Sequence, residues 1–219
     1  IGNHFGGYSS FEFDITDYVN VGENDLSLHA RDVMDNIPRG KQCHDSYNPY
    51  GCLYTRTTGI WQTVWLEFVP NAYIKTAKYY PDIKEAAFDI ELTLSKAGKV
   101  TVDAAYEGKP VGSVTREADG NYLRLRLPLS EKHLWEVGHG RLYDLKLTLE
   151  TENETDVVFS YAGLREVALD GFKFKLNGKS VFQRTVLDQG FYPDGIYTAP
   201  SDEALKRDIE LSMSLGFNG

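Results

Sequence analysis

The stretch LDQGFYPDG, residues 187–195, gathers the side chains of this sequence that are best suited to bind a polar ligand. Asp188 and Gln189 supply a carboxylate and an amide for hydrogen bonds, and Tyr192 supplies an aromatic ring with a hydroxyl group. They follow an apolar run, VFQRTVL, that is typical of a strand, so they form a polar, aromatic rim at a strand end, and such groups suit ligand binding. Alternatively, Asp188 and Gln189 cap the following loop or pair with a neighbouring strand, and Tyr192 packs within the protein.

A second group of candidates lies in residues 34–58, which are rich in Asn, Asp, Pro, Gly and Tyr and show no periodicity. Loops of this length inside compact domains are uncommon and often functional. The candidates in or beside this loop are Asp32, Gln42, Tyr47, Tyr50 and Tyr54. They either take part in binding or belong to a solvated loop or a domain interface.

The histidines and cysteines do not indicate a metal site, because the five histidines lack metal-ligand spacing and the two cysteines lack a second pair. His4 and His44 are expected at the surface or in ordinary hydrogen bonds. Cys43 and Cys52 lie nine residues apart, and the sequence leaves open whether they are two unlinked thiols or a local disulfide.

The composition excludes some classes of partner. A net charge of -9 argues against nucleic-acid binding, which needs clustered Lys and Arg for phosphate contacts. No apolar run approaches the ~18 residues of a membrane span. The chain of 219 residues begins at Ile1 without an initiator Met or a signal peptide, so we expect it to be part of a longer protein. The sequence does not indicate a compartment.

Residues 71–166 predict a β-sandwich. Six segments of strand length are separated by turn residues, and several alternate apolar with charged side chains, as half-buried strands do. The segments are YIKTAKYY, AFDIELTL, KVTVDAAYE, NYLRLRLPL, LYDLKLTLE and TDVVFSYAG. A region of ~95 residues has the size of an immunoglobulin-like module. Arg165, near its end, is expected to form an ion pair or to clamp a carbonyl group.

The flanking regions predict different structures. Residues 1–69 are expected to be β, with strands at 11–15, 26–33 and 60–70, and the last of these carries Trp61 and Trp65 on one face, predicted to be core or interface.

After residue 166, FKFKLNGKSVF predicts a hairpin around Asn177-Gly178, and VFQRTVL predicts a short strand. A helix is then predicted from an N-cap at Ser201 to a C-terminal Gly216. Its apolar face would carry Leu205, Ile209 and Met213. A strand, a polar loop and a helix form the opening unit of an α/β domain, which we expect to continue past Gly219 because one unit cannot bury both faces of a parallel strand.

Four stretches in this order resemble glycoside hydrolase family 2, the family of β-galactosidases, β-glucuronidases and β-mannosidases. GNHFGGYSSFEFDIT (2–16) looks like the family's G-x-H-x-GGY segment, and NVGENDLSLHARD (20–32) is similar to its G-x-N-x-L turn and strand. TGIWQTVWLEFVP (58–70) is similar to its S-G-I-W-Q-x-V-W-L-E signature, and residues 161–195 follow its passage into the first barrel strand. The words LDQGFYPDG resemble the β-galactosidase-like branch.

The resemblance implies a mainly β chain with three parts. Residues 1–70 would be the C-terminal portion of a jelly-roll, galactose-binding-like domain, and residues 71–166 an immunoglobulin-like β-sandwich. Residues 167–219 would be the first βα unit of a TIM barrel, whose strand ends face the active site. Asp188, Gln189 and Tyr192 would then contact the sugar, and the loop 34–58 would reach towards the barrel mouth.

The resemblance also implies a retaining β-glycosidase that acts on a carbohydrate substrate with no required cofactor. Both catalytic glutamates of the family come from later barrel strands, so no catalytic residue is assigned here and this chain is expected to be inactive by itself. The sequence leaves open whether the protein forms a homo-oligomer. The competing hypothesis is a stand-alone carbohydrate-binding or adhesion module made of β-sandwiches, against which the strand–helix segment after residue 180 argues.

Overall fold

The computed structural model describes residues 1–33, 40–43 and 49–219, so the predictions for Tyr47 and His44 lie outside the described residues. The chain divides into two compact units. The first unit comprises Ile1–Leu66 and Leu187–Leu211, and the second comprises Glu67–Val186 and Ser212–Gly219. None of the described helices is long and apolar enough to cross a membrane.

The second unit is built on seven antiparallel strands in two sheets. The strands are β1 (Ile74–Asp82), β2 (Ala87–Leu94), β3 (Gly98–Tyr106), β4 (Lys109–Ala118), β5 (Tyr122–Pro128), β6 (Tyr143–Glu150) and β7 (Thr155–Ala162). One sheet has the order β1-β2-β5 and the other β4-β3-β6-β7. The six strands predicted for residues 71–166 are confirmed, and their alternation is reproduced by burial at every second residue of β2 and β6.

One core unites these two sheets, because apolar side chains from both belong to a single buried cluster. Its largest fully buried members come from β2, β3, β5 and β6 and from the segments beside them. They are Tyr143, Phe88, Ile90, Leu92, Leu94, Leu127, Leu145, Leu147, Leu149, Leu164, Val100 and Val102. Burial of this apolar area supplies the main stabilising free energy of the unit.

Strand β4 is the strand of these two sheets that the sequence did not predict. Its sequence, KPVGSVTREA, is mostly polar and contains Pro110 and Gly112, both poor strand formers. It forms because it lies at the edge of its sheet and pairs with β3 alone, where a polar outer face is tolerated.

A small third sheet contains β8 (Val167–Asp170), β9 (Lys173–Leu176) and β10 (Lys179–Ser180). The predicted hairpin at Asn177-Gly178 is confirmed, since both residues have positive φ, at 52° and 78°. Nearby, Arg165 forms neither of the contacts predicted for it among the described residues. Its guanidinium lies over the Trp135 ring, 4.6 Å from the centroid, as a cation–π contact.

The strands predicted at 11–15, 26–33 and 60–70 were wrong, because the described residues before Ile74 contain no strand. An alternating pattern forms a strand only where a neighbour receives its backbone hydrogen bonds, and here local side chains take part of that role. Asp14 accepts bonds from the backbone and hydroxyl of Thr16 and leads into a 3₁₀ turn, Thr16–Tyr18. Trp65, predicted to be core or interface, is 67% exposed.

The C-terminal helix α1 spans Asp202–Ser214, as predicted. The Ser201 hydroxyl accepts a hydrogen bond from the Ala204 amide, and Gly216, at φ 88°, closes the helix by donating a hydrogen bond from its amide to the Met213 carbonyl. The predicted strand 181–187 was wrong: it forms no ladder. Its backbone instead contacts the last residues, as the Asn218 amide donates to the Arg184 carbonyl and the Val186 amide to the Gly219 carbonyl.

Because the second unit holds the core, residues 71–166 are expected to be the slowest part of the chain in amide hydrogen exchange. Mass spectrometry of peptides should show protection of β2, β3 and β6 that far exceeds that of residues 1–33. The latter serve as the internal control, because their apolar side chains include Phe5 at 92% and Val21 at 108% exposure. Uniform protection along the chain would contradict this assignment of the core.

Candidate functional site

An aromatic cluster in the first unit lies beside Gln189 of the predicted rim. It consists of Tyr8, Tyr54, Trp61, Phe191 and Tyr197. Tyr54 stacks on Phe191 with ring centroids 3.7 Å apart, and Phe191 meets Tyr197 edge to face at 4.7 Å. Trp61 lies 5.7 Å from Tyr197 and 6.1 Å from Tyr8. The segment after residue 187 is thus held by rings that come from far earlier in the chain.

Two polar contacts fix this cluster. The Trp61 indole nitrogen donates to the Gly7 carbonyl at 2.7 Å. The hydroxyls of Tyr8 and Tyr197 also share a hydrogen bond. Burial, and to a lesser extent this hydrogen bond, raises the pKa of Tyr197 far above its ordinary value, so its hydroxyl stays neutral at physiological pH. These contacts join the rings into one aromatic wall.

Gln189 lies beside this wall and contacts two residues from the long loop. Its Oε1 atom accepts a hydrogen bond from Lys41 Nζ at 3.1 Å and another from the Tyr54 hydroxyl at 2.9 Å. Tyr54 therefore contacts the rim twice, through its ring and through its hydroxyl. The two contacts bring residues of the loop 34–58 to the segment that follows residue 187.

One of the two carboxylate oxygens of Asp188 accepts a hydrogen bond within the protein. Its Oδ1 atom accepts a bond from the Gly190 amide at 2.8 Å, so it caps the turn at Gly190, which has φ 65°. This is the loop-capping role that was the alternative to ligand binding. The other oxygen, Oδ2, accepts no hydrogen bond from a described residue, which leaves it able to bind a hydroxyl group.

Tyr192 connects the rim to helix α1. Its hydroxyl donates to Asp208 Oδ2 at 2.7 Å, and this bond to the carboxylate is the main reason that the pKa of Tyr192 is raised. Its backbone exchanges two hydrogen bonds with Ile196, which holds a β-branched residue at φ 55°, a conformation such residues rarely adopt. The loop between Tyr192 and Ile196 is therefore fixed at both ends.

Most other loop candidates have structural contacts. Asp32 forms an ion pair with Arg56 at 3.0 Å, and the buried Gln42 accepts a bond from the Thr57 amide through Oε1. Tyr50 is exposed at a tight turn. Both cysteines are free thiols, with Cys43 buried and Cys52 exposed, so the local disulfide is not formed.

The sequence did not single out Lys41, Phe191 or Tyr197 as members of this site. The one available signal was the density of aromatic residues between 187 and 198. Together the described residues offer a free carboxylate oxygen, an amide, a lysine and aromatic faces. This set can bind a ligand that combines hydroxyl groups with apolar C–H faces.

Comparison with known proteins shows a similarity to one family of enzymes. Residues 72–165 match the model of "Glycosyl hydrolases family 2". The whole chain aligns with a β-galactosidase of Thermoanaerobacter pseudethanolicus at 27% identity over 235 residues, which is 30% of that protein. It also aligns over its whole length with a β-galactosidase of Staphylococcus xylosus at 25% identity, covering 21% of that protein. The chain thus spans less than a third of the length of these curated relatives.

The solved structures agree on the fold. The β-glucuronidase from Ruminococcus gnavus in complex with D-glucuronic acid superposes with a TM-score of 0.61 and 20% identity. The superposition covers 68% of this chain and 26% of that one.

Proposed function

Because the resemblance to glycoside hydrolase family 2 is confirmed, we propose that this chain is part of a retaining β-glycosidase of the β-galactosidase type, which hydrolyses terminal β-glycosidic bonds. The observation that carries the proposal is that the similarity to a β-galactosidase runs along the whole chain. It therefore includes Gln189 and the aromatic cluster as well as the matched residues 72–165.

We propose an immunoglobulin-like sandwich for residues 71–166. Its support is the division of seven strands into the sheets β1-β2-β5 and β4-β3-β6-β7. A second support is Tyr143, at the start of β6, whose hydroxyl donates to the backbone carbonyl of Glu131 at 2.9 Å. A tyrosine near the start of strand F that bonds back to the preceding chain is a hallmark of such sandwiches.

We propose that residues 167–219 begin a TIM barrel. Its support is the order of an extended segment, a polar rim and helix α1, followed by residues 218–219, whose backbone pairs with residues 184–186. Side-by-side extended segments joined by a helix are the repeating unit of that barrel, whose strand ends carry the active site. For residues 1–70, a portion of a jelly-roll domain remains our proposal from the family resemblance.

The proposed reaction is a double displacement that needs two carboxylates about 5–5.5 Å apart. The family resemblance places both on later barrel strands, so we assign these 219 residues a role in binding and not in bond cleavage. Asp188, Gln189 and Tyr192 are our proposed substrate-binding residues. Asp188 Oδ2 would accept a sugar hydroxyl proton, and the aromatic cluster would pack on the C–H side of the ring.

Residues 1–219 as a separate protein are expected to show no turnover of aryl β-galactosides, because both reacting carboxylates would be absent. The matched control is the longer protein that contains these residues. It is expected to hydrolyse the same substrate and to release the β-anomer first, which NMR spectroscopy detects before mutarotation. Turnover by residues 1–219 at a comparable rate, or inversion by the longer protein, would contradict the proposal.

A further inference from the structure

We infer that Lys41 and Tyr54 fix the orientation of the Gln189 side-chain amide. As a result, Gln189 donates a hydrogen bond to the ligand and does not accept one from it. This inference rests on the proposed function for the identity of the ligand, a neutral sugar. The orientation of the amide itself rests only on contacts within the first unit.

The chemistry of Lys41 decides which end of the amide faces the loop. A lysine ammonium group has three donors and no acceptor, so the atom that lies 3.1 Å from Lys41 Nζ must be the amide oxygen. If the amide were rotated by 180°, its N–H₂ group would face a cation, which is unfavourable. The Tyr54 hydroxyl, 2.9 Å from the same oxygen, adds a second donor.

Both donors are themselves positioned. The Tyr54 ring is half-buried and stacks on Phe191 at 3.7 Å. The backbone of Tyr54 donates to the Lys41 carbonyl at 2.6 Å and accepts from the Cys43 amide at 2.8 Å. The backbones of Lys41 and Tyr54 are therefore joined independently of Gln189, and their side chains place two hydrogen-bond donors close together.

The consequence concerns the free end of Gln189. With Oε1 occupied twice, Nε2 and its two hydrogens have no partner among the residues that the structure describes. The neighbouring Asp188 offers only an acceptor, through Oδ2. Adjacent donor and acceptor groups match two neighbouring sugar hydroxyls, of which one accepts a hydrogen bond and the other donates one.

The variant Gln189→Glu tests the nitrogen end of the amide alone. It keeps an oxygen for Lys41 and Tyr54 and replaces the N–H₂ group by a second acceptor. In the longer protein we expect this variant to bind methyl 1-thio-β-galactoside, a thioglycoside that resists hydrolysis, at least about tenfold more weakly than the wild type, since the donor bond to the ligand is lost and the hydroxyl that accepted it must turn to donate instead. Calorimetry measures the Kd. Unchanged or tighter binding by Gln189→Glu would overturn the donor role.

The orientation is tested separately in residues 1–219 with ¹⁵N-labelled glutamine, whose Gln189 side-chain signal is assigned by its disappearance in Gln189→Glu. Lys41→Met and Tyr54→Phe should each shift this signal, whereas Lys84→Met, at an exposed lysine in the second unit, should not. If neither substitution changed the chemical shift of the Gln189 side-chain amide, the inference would be overturned. Wild-type protein that binds no galactoside would contradict the proposed function, while the shifts would still decide the orientation of Gln189.

Discussion

Replacement of Leu147 by alanine is expected to lower the free energy of unfolding of the second unit by about 3 kcal/mol. Leu147 lies in the middle of β6, is fully buried, and is paired with Val102 on β3 and Val158 on β7. Its removal leaves a cavity between the two sheets that the paired strands cannot close, because their register is fixed on both sides of β6. The effect should therefore fall within the range of large-to-small core substitutions.

The matched control is Phe159→Ala on the adjacent strand β7. Phe159 is a larger side chain in the same sheet, but it is 77% exposed, so its loss should change stability by less than about 0.5 kcal/mol. Urea denaturation can follow the fluorescence of Trp135 in a background in which Trp61 and Trp65 are phenylalanine. A cost below about 1 kcal/mol for Leu147→Ala, or equal costs for the two variants, would contradict the burial of β6.

The sandwich could be predicted because its signal is local. LRLRL and LYDLKLTL alternate every second residue, and the side chains that alternate inward are the ones that β5 and β6 bury. Strand β4 could not be predicted in the same way. It forms through pairing with β3, and an edge strand needs only a sparse apolar pattern. Because Pro110 and Gly112 are poor strand formers, the local sequence did not indicate this strand.

The residues before Ile74 show the opposite failure. Residues 60–70 carry a strand-like pattern, but a pattern states only which residues would share a face and does not supply a partner for the backbone. The described residues before Ile74 make no ladder, and the side chains of Val64, Leu66 and Phe68 are more than 60% exposed. Strand formation is decided by pairing between distant segments, which a single sequence does not reveal.

The same limit applies to the site. Asp188, Gln189 and Tyr192 stand out by residue type and by their place before a turn, which are local properties. The donors that contact Gln189 lie 148 and 135 residues away in sequence, at Lys41 and Tyr54. No periodicity connects them. The sequence alone could therefore predict the rim residues but not the orientation of the Gln189 amide.

Removal of the Tyr143 hydroxyl in Tyr143→Phe is expected to destabilise the second unit by about 2 kcal/mol. This hydroxyl accepts a hydrogen bond from the His133 amide at 2.6 Å and donates one to the Glu131 carbonyl at 2.9 Å. The ring is fully buried and meets Phe88 edge to face, so phenylalanine would keep the packing but leave two backbone groups without their partner. An unsatisfied buried backbone group carries a desolvation penalty that the apolar replacement cannot offset.

Tyr80→Phe is the matched control, because Tyr80 is 46% exposed and its hydroxyl donates only to the Glu91 carboxylate, so its loss should be close to neutral. The difference between wild type and Tyr143→Phe should also depend on pH. Burial raises the pKa of Tyr143, whereas an unfolded tyrosine ionises at about 10. The contribution of Tyr143 is therefore complete below pH ~10 and falls as the pH rises through the raised value. Urea denaturation at pH 7 and above pH 10 should show the gap between the two proteins narrowing, and a gap that widened would contradict the hydroxyl's role in the folded state.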